Sequence, residues 1–141
     1  MATKHLTVGF ADLSNFLRIQ REQSTEDCVQ TLQSFFQSAG DAIYAHGGRI
    51  IKYIGDAILF TFPDPREAVA AAREIAALEV SGSQVHVSLA TGEVVEGPIG
   101  HPSFQVNDVL GPAVSEAALL LKEAAQAPDR LALCEETKRR A

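Results

Sequence analysis

Two aspartates in this 141-residue chain are placed where carboxylates do chemistry. Asp12 follows a short apolar run, Leu6 to Ala11, that reads as a buried strand. Asp56 sits with Gly55 between two β-rich runs, Arg49 to Ile54 and Ala57 to Phe62, which is a hairpin signal. With the first strand beside that hairpin in one sheet, the two carboxylates meet at one end of it. They repel each other there unless cations lie between them. Magnesium suits such a pair, being a hard ion with oxygen ligands that leaves room for substrate phosphates. The backbone N–H groups of Ser14, Asn15 and Phe16 begin a turn or helix after Asp12 and form an anion site. Metal and N–H groups together imply a polyphosphate ligand. Each aspartate also has a plainer reading, as a helix cap after a strand or as an ordinary turn residue after glycine, and spacing alone leaves both open.

The elements that must position these residues follow from periodicity and caps. Ser24 opens a long helix, with Asp27 as its capping partner, and Cys28, Leu32, Phe35, Ala39 and Ile43 form its apolar stripe. His46-Gly47-Gly48 ends it. Asp64-Pro65-Arg66-Glu67 starts a second helix with Ala68, Ala71, Ala72, Ile75 and Ala76 on its inner face. Val85 to Val95 reads as a strand turned by Gly97-Pro98 and Gly100, and Ser103 to Leu110 as its return. Gly111-Pro112 starts a third helix running to about Ala125, with Val114, Ala117, Ala118, Leu121 and Ala125 as its stripe. Leu131 to Cys134 is a last short strand. The order predicts an α+β fold with a ferredoxin-like βαββαβ core, an antiparallel sheet with helices on one face.

Composition excludes several classes. A chain with 46 % apolar residues is globular rather than disordered. A net charge of −6 without a basic stripe argues against nucleic acid, and Lys138-Arg139-Arg140 reads as a frayed, solvated end. No apolar run approaches the roughly 20 residues of a membrane span. Cys28 and Cys134 lack metal or redox spacing, and Cys28 falls on a helical stripe that predicts burial. The four histidines show no zinc spacing. The expectation is one soluble, cytoplasmic domain spanning residues 1–141.

Phe10-Ala11-Asp12-Leu13-Ser14-Asn15-Phe16 resembles the first metal motif of the class III adenylate and guanylate cyclases. Gly47-Gly48-Arg49-Ile50-Ile51-Lys52-Tyr53-Ile54-Gly55-Asp56-Ala57 resembles their second, and Phe62 to Val69 continues it. Thr91 to Gly97 is similar to the strand before their late hairpin, and Asp108 to Val114 to the segment leading into their last catalytic helix. The likeness covers nearly the whole chain in order. It implies a homodimer with active sites at the interface, converting ATP to cyclic AMP and pyrophosphate. Asp12, Asp56 and the backbone carbonyl of Leu13 would hold two Mg2+ or Mn2+ ions, one activating the ribose 3′-hydroxyl and both stabilising charge on the triphosphate. Lys52 and Asp108 match the base-reading pair, which comes from the chain opposite the metal site. A lysine donor and an aspartate acceptor complement adenine N1 and its exocyclic amine, whereas guanine reverses both polarities. The plainer reading of Lys52 is a surface ion pair with Asp56.

The pattern breaks on the last helix. The family's ribose-orienting asparagine and phosphate-stabilising arginine fall at Ser115 and Leu119. Losing one preorganised donor lowers the rate about 10²–10³-fold, and losing an arginine at a phosphoryl transition state about 10³–10⁵-fold. The sequence also ends before the strands that bring the family's terminal-phosphate lysine, for which Lys122 is the nearest substitute. Three readings follow: a weak adenylate cyclase, an inactive homology domain that binds ATP and metal or only dimerises, or one half of a heterodimer whose partner supplies asparagine and arginine. The lost side chains favour the second.

Overall fold

The computed structural model describes every residue from Met1 to Ala141. β1 (Ala2–Leu13) runs through the middle of the sheet, between β3 (Ala57–Phe62) and β5 (Ser83–His101), antiparallel to both. Residues Thr7 to Ala11 are buried without a break, because a central strand covered on both faces has no solvent side. β2 (Arg49–Ile54) pairs with β3, which gives the order β2-β3-β1-β5 of a βαββαβ core. Asp12 lies inside β1, not after it, since the strand continues to Leu13.

The helices form as their caps dictate. α1 (Phe16–Glu22) follows Asn15, which adopts a left-handed conformation. The turn or helix expected after Asp12 is this short helix; it buries only Ile19 and so carries no apolar periodicity that would fix its extent. α2 (Thr25–Ala45) is capped by Ser24 Oγ, which accepts from the Asp27 N–H at 3.1 Å. Its expected stripe is the buried face, with Leu32 partly covered. α3 (Pro65–Ala76) is capped by Asp64, which accepts from the Arg66 N–H at 2.9 Å.

Two cores lie on opposite faces of the sheet. Ala11, Leu13, Phe60 and Phe62 pack with α2 and α3. Val8, Phe10, Leu59 and Ala90 alternate with them along the strands and pack instead with Ala113 and Ala117 of α4 (Pro112–Gln126). Helices therefore cover both faces, which corrects the one-face expectation. α4 also sits rotated from its expected phase: it buries Ala113, Ala117 and Ala124, and leaves Ala118 and Ala125 exposed.

Three further differences arise from non-local pairing. β4 (Glu79–Val80) is a two-residue strand paired with the start of β5. β5 does not turn at Gly97-Pro98. It continues to His101 and folds back at Pro102-Ser103 into β6 (Phe104–Leu110), with Pro98 opposite Asn107. A Cβ at Gly97 would come 2.9 Å from Cγ of Met1, an exposed side chain at the start of the chain. After β7 (Leu131–Leu133), parallel to β5, the basic C-terminal residues form α5 (Glu135–Arg140) and are not frayed. Cys134 Sγ caps α5 by accepting from the Thr137 N–H, and Thr137 Oγ1 lies 2.8 Å from Thr91 Oγ1 on β5. No helix is long and apolar enough to cross a membrane.

Candidate active site

The site grows from one cross-strand register and one turn. β1 pairs with β5 so that Asp12 faces His86, and with β3 so that Ala11 faces Ile58. The β2–β3 turn therefore lands beside the end of β1. Gly55, at φ 60°, makes that turn, a conformation that side chains other than glycine's resist. Asp56 then reaches across, and its Oδ2 accepts from the Leu13 N–H at 3.2 Å. The two carboxylates are brought together, as expected from sequence.

Their electrostatics differ in cause. Burial is the main reason that Asp12 is pushed up to about 7, and the negative charge of Asp56 adds to it. Asp56 is also raised by burial, against the pull of its own N–H and that of Leu13. Asp12 Oδ1 is buried and has no hydrogen-bond partner. His86 Nδ1 stands 3.5 Å from it, but burial and the charge of Arg130 lower the affinity of His86 for a proton, so this contact is not an ion pair at neutral pH. An unpartnered, half-buried carboxylate beside a second one is an unfavourable arrangement that a divalent cation relieves. Asp12 and Asp56 fit the oxygen donors that magnesium and manganese take. They stand as a pair, with no cluster of three or more acidic, histidine or cysteine ligands. Ser14 departs from its expected role, because its N–H is held by the Gln84 carbonyl at 2.7 Å. Asn15 and Phe16 lead into α1 as the expected turn requires.

A second constellation lies between β2 and β6. Lys52 Nζ meets Asp108 Oδ2 at 2.7 Å, and Asp108 Oδ1 accepts from the Val109 N–H at 2.8 Å. Lys52 does not pair with Asp56. A bulge between Ile50 and Lys52 shifts the register of β2 by one residue, which re-aims the lysine. Beside this pair, the Glu96 carboxylate is almost fully buried among three donors: Lys4 at 3.1 Å, Asn107 at 2.8 Å, and the Arg49 guanidinium. Sequence reading missed Glu96, Arg49 and His86. His86 had one faint signal, a titratable residue in the otherwise apolar alternation of Val85 to Leu89.

Ser115 and Leu119 lie on the exposed side of α4, with Leu119 71 % exposed. Ser88 Oγ donates to the Ala117 carbonyl at 2.7 Å and fixes that helix against β5. Lys122, one turn further on, is exposed as well.

Residues 1–140 match the family described as the adenylate and guanylate cyclase catalytic domain. The chain belongs to the class III nucleotide cyclase family. An uncharacterised protein of Mycobacterium tuberculosis strain H37Rv is 33 % identical over 96 % of this chain and 26 % of its own length. An adenylate cyclase of Streptomyces coelicolor is 30 % identical over 85 % of this chain and 30 % of its own length. The cyclase domain thus spans about a third or less of the curated relatives it matches. A bacterial light-regulated adenylyl cyclase superposes with a TM-score of 0.90 over 99 % of this chain and 46 % of its own, at 23 % identity, a likeness in fold. The α+β cyclase fold and the family resemblance are both borne out.

Proposed function

We propose that this cyclase domain binds ATP with Mg2+ or Mn2+, as one of two copies in a homodimer, and that its cyclisation of ATP to cyclic AMP is weak or lost. One observation carries the reading: Asp12 and Asp56 are brought together at the end of β1, where burial and the charge of Asp56 raise the Asp12 carboxyl to about 7. Two ions held by Asp12, Asp56 and the Leu13 carbonyl would supply Lewis acidity at the triphosphate and the ribose hydroxyl. The N–H groups of Asn15 and Phe16 are left to meet phosphate oxygens. Lys52 donates to adenine N1 and Asp108 accepts from the exocyclic amine, for which adenine must part or share their ion pair. Tyr53, Ile54, Leu110 and Leu119 are large apolar side chains left exposed, which supports a surface covered by a second copy. Ser115 offers only a short hydroxyl in place of the longer ribose-orienting amide, and Leu119 offers no cation to the phosphate, so both sites of a homodimer share the same deficit. Two free, buried cysteines fit a reducing compartment, and the cytoplasm is the location proposed.

A second reading rests on Leu119: exposed on α4, it leaves room for a heterodimer whose other chain supplies asparagine and arginine to the metal site of this one. Calorimetry with Mn2+ and ATP, run beside a cyclic AMP assay, tests both readings. ATP affinity that depends on Asp12 and Asp56, with little cyclic AMP, is the expected result. ATP affinity unchanged by Asp12→Ala removes the metal reading, and activity that appears only on mixing with a complementary cyclase chain favours the heterodimer.

A further inference from the structure

The two acidic side chains of the site are held differently. Asp56 is anchored, because its Oδ2 takes the Leu13 N–H at 3.2 Å. Asp12 has no such anchor, and its Oδ1 is buried and unpartnered. The side chain directly opposite it on β5 is His86, paired with it in the β1–β5 register, with Nδ1 3.5 Å from Oδ1. Both are largely enclosed, at 15 % side-chain exposure for His86 and 28 % for Asp12. We propose that His86 is a positioning residue for Asp12: its Nδ1–H donates to Asp12 Oδ1 when a divalent cation is bound, leaving Oδ2 to face the ion. This inference rests on the cation reading above and extends it to a residue outside the ligand set.

The geometry needs only a small adjustment. Closing from 3.5 Å to the ordinary N–H···O distance of about 2.9 Å is within reach of a change in side-chain torsion. Hydrogen bonds of catalytic groups are often long without ligand and tighten when it binds. A donor on one oxygen fixes the carboxylate plane and selects single-oxygen ligation. Such outer partners orient ligands, and their loss typically weakens metal binding about 10–100-fold. The strand pairing makes the assignment specific: His86 is set opposite Asp12 by the backbone ladder, not by a flexible loop.

The test titrates manganese(II) alone into the purified chain and follows the free-ion electron paramagnetic resonance signal. His86→Phe keeps a planar ring without the donor, and His86→Ala serves where the larger ring disturbs folding. His86→Asn places an N–H near the position of Nδ1. The expected result is binding by the unaltered chain, none by Asp12→Ala, a loss of about 10–100-fold in His86→Phe or His86→Ala, and recovery to near the original affinity in His86→Asn, with equal thermal midpoints without metal. If Asp12→Ala abolishes binding while His86→Phe and His86→Ala bind as before, the positioning role is overturned and the cation reading stands. Equal weakening in the Asn variant and the donor-free variants also overturns it, because a donated hydrogen bond is then not what His86 contributes. An unaltered chain that binds no manganese overturns both.

Discussion

Lys52 and Asp108, 56 residues apart, form an ion pair at 2.7 Å between two strands that are not neighbours in the sheet. The β5–β6 hairpin extends beyond the core and brings Asp108 back against β2. The bulge after Ile50 turns Lys52 towards it. The pair is partly enclosed, with the lysine 34 % and the aspartate 18 % exposed, so its charges are only partly screened.

If this pair reads adenine, removing either member weakens ATP more than GTP. Asp108→Ala should lower ATP affinity about tenfold or more, the effect of one hydrogen bond to a charged group, with little change for GTP. Calorimetry with both nucleotides and manganese checks this. Equal affinities for ATP and GTP in the unaltered protein count against the assignment.

The aspartates of the metal site make the metal-free fold more stable in mild acid. Asp12 is raised from 3.8 to about 7, and Asp56 is raised in the same direction. Between those values the folded chain holds a proton that the unfolded chain has released, so stability falls as pH rises from about 4 to about 7. Asp12→Asn removes this penalty and should stabilise the metal-free protein by about 1–3 kcal/mol at pH 8, with little gain at pH 4. Urea melts at the two pH values measure the difference. Cation binding needs the ionised carboxylates, so manganese affinity should climb as pH rises through 7.

Ser115→Asn with Leu119→Arg should raise cyclic AMP formation by at least about 10²-fold, if donors at these positions are what the site lacks. Both side chains are exposed on α4, so the exchange should leave the thermal midpoint within a few degrees. The assay uses ATP and manganese. No increase in a folded, ATP-binding double variant argues against the placement of these positions at the site.

Glu96 holds Lys4, Arg49 and Asn107 on one buried carboxylate. Glu96→Ala removes one of the ties between β2 and the β5–β6 hairpin, leaving the Lys52–Asp108 pair, and should destabilise the fold by about 1–3 kcal/mol in urea. The two cations stay solvated, with 43 % and 47 % of their side chains exposed, which keeps the loss below that of a fully buried pair. The same variant should weaken ATP binding if the hairpin must hold Asp108 opposite Lys52.

Much of this architecture is written in local signals. The caps Ser24 and Asp64, the helical stripes of α2 and α3, and the Gly55-Asp56 turn act through neighbours three or four residues away, and each formed as its residues predict. Asp12 and Asp56 were legible for the same reason, since each sits at a strand end or turn that local patterning marks, whereas Lys52 and Asp108 were singled out only by the resemblance to the cyclase motifs. What could not be read arises between distant segments. The extension of β5 through Gly97-Pro98, the bulge that aims Lys52, and the burial phase of α4 are settled by which strand lies alongside and which face it covers. His86 opposite Asp12, and Glu96 between Lys4 and Arg49, depend on sheet register, and register is a property of pairs of strands that no single stretch of chain contains.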